Sequence, residues 1–499
     1  MSGAGVEVAA AAAGFEAARD ADLWNADLAP TVPAQRHWTW LSFCTLWIGM
    51  VACIPTYMLA SGLIASGLSP VQAVLLVFVG NLIVLVPMLL IGAAGTRYGV
   101  PFPVLLRASF GPRGAQVAAL ARALVACGWF GINTWVGGSA IYSVLNLISG
   151  NAVTGGPLPV VGIDAGQLLC FVAFWAAHLY FIARGTESIR WLETTAAPFL
   201  LVMALVLLGW AYTRAHGFGS MLSAPSAFGP GSGKEAQFWP TIASSLTAMV
   251  GFWATLALNI CDFTRFSRSQ RDQVVGQILG LPLPMALFSF IGVAVTSATV
   301  VIFGKAIWQP TELATHLGLP GAILTLVVVL ICTLTVNMAA NVVSPSYDFS
   351  NMAPSRISFA GGGYITAGLG LVMMPWKLLA SAGTYIFVWL VGYSALLGPI
   401  AGIMIADYYW VRRRRLVTED LFRHEGIYRG RRGFNPSAII ALVCALAPNL
   451  PGFLHSVGLV TQVAPIFDTI FTGAWFVGFF VAAGVYAGLM RINAPDSVW

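Results

Sequence analysis

The sequence predicts an all-α integral membrane protein with twelve transmembrane helices. Of its 499 residues, 58% are hydrophobic and only 9% are charged, whereas soluble domains carry about 25% charged residues. The mean hydropathy is +0.81. Apolar runs of roughly 20 residues, long enough to cross about 30 Å of hydrocarbon, recur along nearly the whole chain. These observations exclude a soluble domain.

The apolar runs and the turn and charge signals between them predict the limits of each span. Their even number places both termini on one side of the membrane. The predicted spans are 39–65, 71–96, 115–148, 165–184, 192–213, 239–261, 275–303, 320–344, 358–375, 379–405, 437–456 and 467–490.

Positive charge in the short loops predicts the orientation, because Lys and Arg are enriched in cytoplasmic loops. With a cytoplasmic N-terminus, the inside loops hold most of the arginines, including the block RRRR at 412–415. The outside loops hold only Arg214, Lys234, Lys305 and Lys377. We therefore expect a multi-pass protein of the cytoplasmic or plasma membrane with both termini inside. The basic charge then faces the lipid bilayer, and no nucleic acid partner is expected.

The remaining composition predicts neither a cofactor nor a leader. All seven cysteines fall inside apolar runs without a CxxC or Cys/His cluster, so we expect no disulfide framework and no metal site. Residues 1–35 are rich in Ala and lack a basic stretch followed by an apolar core. They are typical of a disordered cytoplasmic tail and not of a signal peptide. No feature indicates an obligatory protein partner.

Two spans carry helix-breaking residues at similar depth. Pro55 in the first span removes a backbone hydrogen bond and disfavours helix at Ile54, and Gly251 lies at a comparable depth in the sixth span. Breaks in spans one and six are the spacing expected of two five-helix repeats, and transporters bind cargo at such breaks. Ordinary membrane helices also contain Pro and Gly, so each break alone is weak support.

Aromatic and amide side chains lie deep in the spans. Trp129 and Trp253 fall near span centres, although Trp usually lies at the membrane interface. Asn133, Asn337 and Asn341 are amides at mid-membrane depth, where uncompensated burial costs a few kcal/mol. Hydrogen bonding between helices is the alternative role for such amides, and for Asn337 both roles remain open.

These side chains predict the chemistry of a substrate. An indole face stacks on a flat ring with roughly 1–3 kcal/mol, and an amide offers both a donor and an acceptor. No charged residue is expected at mid-depth beside them. A neutral planar ring with an N–H/C=O edge therefore fits, and an amino acid zwitterion or a phosphate fits poorly. Uracil, allantoin, cytosine, hydantoins and purines all qualify, with uracil or allantoin preferred.

Several stretches, in order over about residues 40–435, resemble the nucleobase:cation symporter-1 family. The resemblance implies a LeuT-like fold of five-plus-five inverted repeats with two further helices. It also implies a symporter that works by alternating access and is coupled to Na⁺ or H⁺. The matching stretches are PFPVLLRASFGPRG (101–114), GWFGINTW (128–135), NICDFTRF (259–266), NMAANVVSPSYD (337–348), MMPW (373–376) and GPIAGIMIADYYWVRRRR (398–415).

The spans and the resemblance together imply a domain organisation of two repeats with flanking segments. The segments are a cytoplasmic tail 1–37, a first five-helix repeat 38–213, an extracytoplasmic loop 214–238, a second repeat 239–411, a basic cytoplasmic loop 412–436, two C-terminal transmembrane helices 437–491 and a cytoplasmic C-terminus 492–499.

The resemblance also implies which residues bind the substrate. Trp129 matches a third-span Trp that stacks on the ring, and Trp253 matches a sixth-span Trp that packs against it. Asn341 matches an eighth-span Asn that hydrogen-bonds the ring. The resemblance implies four further substrate contacts. Three of them differ from a hydantoin-transporting member of the family: Asn133 and Cys53 each replace Gln, and Phe252 replaces Gly. The fourth is the adjoining Gly251.

A cation site is implied less completely. The resemblance places backbone carbonyls of Gly49, Ala52 and Cys332 and the hydroxyl of Thr335 around sodium. Val336 occupies the position of a second hydroxyl ligand. A site with four oxygens where five are expected should bind sodium more weakly. We therefore expect sodium coupling to be impaired or replaced by proton coupling.

Two acidic motifs lie at the predicted cytoplasmic side. Asp262 in DFTRF and Asp407 in MIADYY are expected to pair with arginines such as Arg265 or Arg107 and to latch this side of the transporter. Helix ends anchored by solvated charge are the alternative.

Other functional classes fit the sequence less well. A membrane-embedded enzyme needs convergent acid–base, nucleophilic or metal-binding residues, but His178 stands alone in its span and no HExxH motif occurs. A channel would need a filter-like or ring-forming charged repeat, and none is evident. An amino acid permease of the same fold is the nearest competitor, and the central tryptophans disfavour it.

Overall fold

The computed structural model describes residues 19–184 and 186–493, and the side chains of residues 186–198 lie outside that description. Within these ranges the regular structure is helical. Residues 19–37 of the predicted tail 1–37 fall in the described part. Residues 1–18, and residues 494–499 of the predicted C-terminus, lie outside the described residues.

The helices of the described part follow the predicted spans, except that the last span, 467–490, also covers a separate short helix, Pro465–Thr472. Seven helices of the described part, or up to ten if each bent pair is one span, are long and apolar enough to cross a membrane. We number the helices that follow the predicted spans α1 to α12 and mark the halves of bent pairs a and b. Their bounds are α1a Trp40–Val51, α1b Ile54–Ala65, α2 Pro70–Tyr98, α3 Ala115–Ser149, α4 Ala165–Arg184, α5 Thr186–Arg214, α6a Phe238–Phe252, α6b Ala254–Thr264, α7 Gln270–Phe303, α8 Gly318–Met352, α9 Phe359–Val372, α10 Thr384–Val411, α11a Pro436–Leu446, α11b Leu450–Ser456 and α12 Ala474–Asn493.

The second span illustrates how local sequence sets helix ends. The Ser69 hydroxyl accepts a hydrogen bond from the Gln72 backbone N–H at 3.3 Å, and the Gln72 side chain accepts one from the Ser69 N–H at 2.9 Å. This reciprocal cap, with Pro70 at the first helical position, starts α2. Gly99 ends it in the left-handed conformation at φ 70°, which glycine adopts without steric cost.

Both predicted helix breaks are present. Between α1a and α1b, Cys53 is extended at φ −134° and ψ 157°, and the two halves are bent by 57°. Pro55 follows at the start of α1b, where its missing N–H costs no helical bond. In the sixth span the chain bends by 41° at Trp253.

The sequence predicted the break of the sixth span at Gly251, but the structure places it two residues later, at Trp253. The helix continues through Gly251. The absence of a side chain at Gly251 serves packing and does not break the helix. A Cβ on Gly251 would lie 2.9 Å from the Leu390 carbonyl oxygen and would collide with the Ser394 hydroxyl of α10. Gly251 therefore permits close approach of α6a and α10.

The helices form two groups around the breaks. α1, α2, α6 and α7 pack on one another, and α3, α4, α8 and α9 form the second group. α11 and α12 pack against α10. Small residues allow the closest approaches within membrane helices. At the contact of α3 with α9, for instance, a Cβ on Gly131 would lie 2.7 Å from the Gly370 carbonyl oxygen.

The expectation of a disordered N-terminal tail is wrong for residues 19–37. The Asn25 side chain donates to the Ser350 hydroxyl at 2.7 Å, and the Thr31 hydroxyl donates to the Arg265 carbonyl at 2.6 Å. Leu28 is fully buried. Composition missed this order because the partners lie at the ends of α6b and α8, more than 200 residues away in sequence.

Candidate functional site

A small cavity lies where the two helix breaks face α3 and α8. Its volume is about 30 Å³, room for one or two water molecules. It must therefore widen to admit a ring. No charged side chain lies among the described residues that line it. The lining residues are Met50, Cys53, Pro55, Trp129, Asn133, Phe252, Trp253, Thr255, Leu256, Val336, Ala340 and Asn341.

Aromatic rings form one wall of this cavity. Phe252 lies edge-on to both predicted indoles, with its ring centroid 5.4 Å from Trp129 and 4.9 Å from Trp253. Trp129 also packs edge-on against three aromatic residues of α10, among them Trp389 at 6.2 Å. Trp253 packs against Trp47 at 5.3 Å. Such contacts fix the indole orientations. Phe252 fills the space between the two indoles.

Two amide side chains also line the cavity. The Asn133 side chain donates to the Trp129 carbonyl of its own helix at 3.1 Å, and its oxygen has no partner among the described residues. Asn341 donates to the Asn337 side-chain oxygen at 3.0 Å. Asn337 in turn donates to the Phe130 carbonyl of α3 at 3.1 Å. Asn337 therefore joins helices and does not line the cavity.

Two further predicted contacts differ in their placement. Cys53 lines the cavity, and its thiol lies 3.1 Å from the Thr56 hydroxyl. Gly251 is outside the lining, and its carbonyl accepts a hydrogen bond from the Tyr393 hydroxyl at 2.8 Å. The structure thus brings together six of the seven predicted substrate contacts.

The region predicted to hold sodium lacks one of the expected oxygen ligands. The Cys332 thiol donates to the Ala52 carbonyl at 3.2 Å, and the Thr335 hydroxyl donates to the Ile331 carbonyl of its own helix. Val336 presents an apolar side chain to the cavity, and Gly49 lies one turn earlier in α1a. A hard cation requires oxygen ligands. The donating Thr335 hydroxyl and the Ala52 carbonyl keep lone pairs for a cation, so the site lacks one expected ligand, the hydroxyl that Val336 replaces.

Asp407 pairs with an arginine as predicted, but neither Arg265 nor Arg107 forms a direct ion pair with Asp262 or Asp407 in the described structure. Asp407 pairs with Arg412 at 2.8 Å and accepts a hydrogen bond from the Tyr486 hydroxyl at 2.6 Å. Asp262 accepts hydrogen bonds from the Phe102 backbone N–H at 2.7 Å and from the Asn259 side chain at 3.3 Å. Both acids are buried, so the alternative of solvated helix ends does not apply either.

The two arginines proposed as partners for these acids bind elsewhere. The Arg265 guanidinium donates to the Asp27 carbonyl at 3.3 Å. Arg107 donates to the Leu421 carbonyl at 2.9 Å and to the Asn351 side chain at 2.6 Å. Sequence spacing cannot reveal these partners, because the contacts join the N-terminal segment, the loops and α8.

Sequence reasoning missed a buried ion pair on the same helices as the cavity. Arg122 of α3 and Asp348 of α8 lie 3.3 Å apart with both side chains fully buried. A charged residue inside a membrane helix needs a partner. The lone arginine in the apolar run AALARALVA was the signal that an acid should be sought at its depth.

Two larger cavities lack the chemistry of a ring-binding site. One of about 190 Å³ lies between α1b, α5, α7 and α8 and is lined almost wholly by apolar side chains. The other, of about 900 Å³, opens at the basic loop and is lined by residues including Arg412, Arg415 and Arg431. The small cavity combines indoles with amides, and we treat it as the candidate site.

A helical membrane protein with two broken spans that meet at an uncharged cavity has the architecture of a secondary transporter. The sequence model described as "Permease for cytosine/purines, uracil, thiamine, allantoin" matches residues 30–478. The chain belongs to this family. It is a permease and not an enzyme.

The chain is similar to named permeases over nearly its whole length. It is 45% identical to the purine-uracil permease NCS1 of Arabidopsis thaliana, over 96% of this chain and 80% of the relative. It is 40% identical to the allantoin permease of Bacillus subtilis (strain 168), over 95% of each chain.

A solved structure has the same fold. It is described as Mhp1, a nucleobase-cation-symport-1 family transporter, in a closed conformation with bromovinylhydantoin bound. The likeness has a TM-score of 0.74 at 27% identity and covers 94% of this chain and 96% of that chain. The predicted LeuT-like fold and family are confirmed.

Proposed function

We propose that this permease imports a neutral planar heterocycle, uracil or allantoin, and binds it in the cavity between α1, α3, α6 and α8. The observation that carries the proposal is the composition of this cavity. Two indoles and two amides converge at the helix breaks, and the Asn133 oxygen has no partner there among the described residues. Buried polar groups normally have partners, so an unpaired oxygen beside a cavity favours a ligand.

Relatives support this substrate class. The similar proteins are named for purine and uracil or for allantoin, and the similar structure holds a hydantoin. Uracil, allantoin and hydantoins all carry ring N–H and C=O groups. An amino acid would bring two opposite charges, and the described lining offers no charged side chain to pair with them.

The structure suggests how the site closes. The Tyr385 hydroxyl of α10 donates to the Pro55 carbonyl at the break of α1, at 3.3 Å. At the other end of the cavity, Asn259 of α6b hydrogen-bonds the Ser344 hydroxyl of α8. We propose that release of one contact at a time opens the cavity alternately to the two sides. The two helix groups would then move relative to each other about the broken spans.

We propose that sodium contributes little to coupling, because Val336 supplies no oxygen where the family resemblance implies a second hydroxyl ligand. Uptake should depend weakly on sodium at constant ionic strength. Stimulation that saturates at low millimolar sodium would overturn this part of the proposal.

We also propose that both termini and the loop with Arg412–Arg415 face the cytoplasm, as loop charge predicts. Protease added to right-side-out vesicles should leave this loop intact and should cleave it after permeabilisation. Cleavage before permeabilisation would reverse the orientation.

Uptake of labelled uracil into proteoliposomes containing the purified protein tests the function. Unlabelled allantoin, cytosine, hydantoin, xanthine and leucine serve as competitors. We expect uptake that allantoin inhibits and leucine does not. Leucine uptake in the absence of heterocycle transport would favour the amino acid permease instead.

A further inference from the structure

A buried histidine is connected to the cavity through two amides. His178 of α4 and Asn337 of α8 are both fully buried. The His178 Nε2 lies 3.0 Å from the Asn337 side-chain nitrogen, and the Asn337 side-chain oxygen accepts from Asn341 at 3.0 Å. We call His178, Asn337 and Asn341 the amide relay. Only its last member lines the cavity.

Backbone carbonyls fix the direction of every hydrogen bond in the amide relay. The His178 Nδ1 lies 2.8 Å from the Phe174 carbonyl, which can only accept, so Nδ1 carries the proton. In the neutral imidazole Nε2 is then an acceptor, and the Asn337 nitrogen must donate to it. The Phe130 carbonyl, 3.1 Å from the same nitrogen, independently requires this orientation.

The orientation of the Asn337 amide determines which atom of Asn341 is free at the cavity. Because the Asn337 nitrogen faces His178, its oxygen faces Asn341 and accepts a hydrogen bond from the Asn341 nitrogen. The Asn341 oxygen, which accepts no hydrogen bond within the described part of the chain, is left for a ligand. Asn133 has the same polarity, because its nitrogen is held by the Trp129 carbonyl and its oxygen is unpaired.

We propose that His178 and Asn337 are positioning residues that hold the Asn341 carbonyl oxygen towards the substrate, so that the site selects rings with an N–H at the α8 edge. This inference rests on the proposed function and extends it to specificity. Turning the Asn337 amide over would set its oxygen against the Phe130 carbonyl and against Nε2, two acceptors with no proton between them. The amide relay therefore resists the opposite polarity.

An acceptor oxygen at Asn341 should distinguish uracil from cytosine, two rings of nearly equal shape. Uracil carries a donor, N3–H, between two carbonyls, and its N1–H is a second donor. Cytosine shares the N1–H donor and adds a 4-amino donor, so the two rings differ at position 3, where cytosine has an unprotonated acceptor, and at position 4. When position 3 of cytosine faces the Asn341 oxygen, two acceptors meet where uracil would form a hydrogen bond, and one such mispaired contact costs about 1–3 kcal/mol. We therefore expect uracil to bind roughly 5- to 150-fold more tightly than cytosine.

The test is the ratio of inhibition constants for cytosine and uracil, measured with labelled uracil in proteoliposomes. In Asn337→Leu, Asn341 loses its fixed acceptor and can turn over, so the ratio should fall towards one. His178→Leu removes one acceptor from Asn337 and should lower the ratio less. His178→Gln supplies an oxygen in place of Nε2 and should retain the ratio. Thr333→Val is the matched control, since that buried α8 hydroxyl bonds only its own helix, to the Val329 and Leu330 carbonyls.

The outcomes separate this inference from the proposed function. A lower maximal rate with an unchanged ratio in Asn337→Leu and His178→Leu would mean that these residues only support the fold, and would overturn the inference. Wild-type protein that transports uracil and prefers cytosine would also overturn it. Failure of every heterocycle in wild-type protein would instead remove the proposed function. If Asn337→Leu does not fold, the contrast of His178→Leu with His178→Gln gives the same decision.

Discussion

The polar side chains on two sides of α8 near the cavity differ in how completely they are hydrogen-bonded within the protein. On the face towards α3 and α4, Asn337 is fully bonded and Asn341 keeps its oxygen free beside the cavity. Towards α1, the Cys332 thiol donates to the Ala52 carbonyl. The nearby Thr335 hydroxyl donates to the Ile331 carbonyl of its own helix, and Val336 presents an apolar side chain to the cavity. The side with Asn341 therefore leaves an acceptor for a ligand, whereas the Cys332 thiol and the Thr335 hydroxyl already donate hydrogen bonds within the protein.

This difference indicates where binding specificity lies. A polar group that remains unpaired in a buried site gains most when a ligand arrives, because its desolvation has already been incurred in the empty protein. A carbonyl already bonded to a thiol gains less. We therefore expect variants on the ring-binding side to change transport more than variants on the cation side.

The largest effect is expected for Trp129→Ala, which removes the indole from the ring-binding side. Stacking contributes roughly 1–3 kcal/mol per ring, so the KM for uracil should rise about 5- to 150-fold. Trp239→Ala, at an exposed tryptophan of α6a, is the control and should leave KM unchanged. An unchanged KM in Trp129→Ala would remove the aromatic wall from the site.

A smaller loss is expected for Asn133→Ala. Loss of one neutral hydrogen bond costs about 0.5–1.5 kcal/mol, so KM should rise roughly 2- to 12-fold. Asn449 offers a matched control, because its side chain also donates to the carbonyl four residues earlier, at 3.2 Å, and lies between α11a and α11b. Equal effects of Asn133→Ala and Asn449→Ala would indicate a general cost of losing a buried amide.

Val336→Thr tests the cation side by adding the missing hydroxyl. We expect the sodium concentration for half-maximal stimulation to fall by roughly 2- to 12-fold, if one added oxygen ligand contributes as much as one hydrogen bond. The control is Val329→Thr, another buried valine of α8. Strong sodium stimulation in the wild type, with no change in Val336→Thr, would contradict the contrast between the two faces.

The smallest effect is expected for Cys332→Ala. This variant frees the Ala52 carbonyl from a thiol donor, which makes only a weak hydrogen bond. Uptake without sodium should change by less than about twofold. A large loss of uptake in Cys332→Ala would show that this contact is needed for transport and would contradict the expected difference between the ring-binding side and the cation side.

Much of the fold was readable from the sequence, because membrane helices need long apolar runs and broken helices need residues such as Pro55. Trp129 and Asn133 were recognisable because an indole and an amide at mid-depth are costly without a role. The break at Trp253 was misplaced to Gly251, since glycine's absence of a side chain serves packing as readily as a bend.

The polar partners could not be read from the sequence. The pairing of Arg122 with Asp348 spans 226 positions, and the connection of His178 to Asn337 spans 159. Such contacts depend on how helices cross, which hydropathy and spacing do not record. The direction of the amide relay was equally hidden, because it depends on carbonyls that only the folded backbone places.

The most direct test of the central claim is a cryo-electron microscopy structure of the protein with uracil bound. The ring should stack on Trp129, and the side-chain oxygens of Asn133 and Asn341 should lie within about 3.2 Å of ring nitrogens that carry hydrogen. Uracil density outside this cavity would contradict the account. So would a ring in the cavity whose nitrogens face neither amide oxygen.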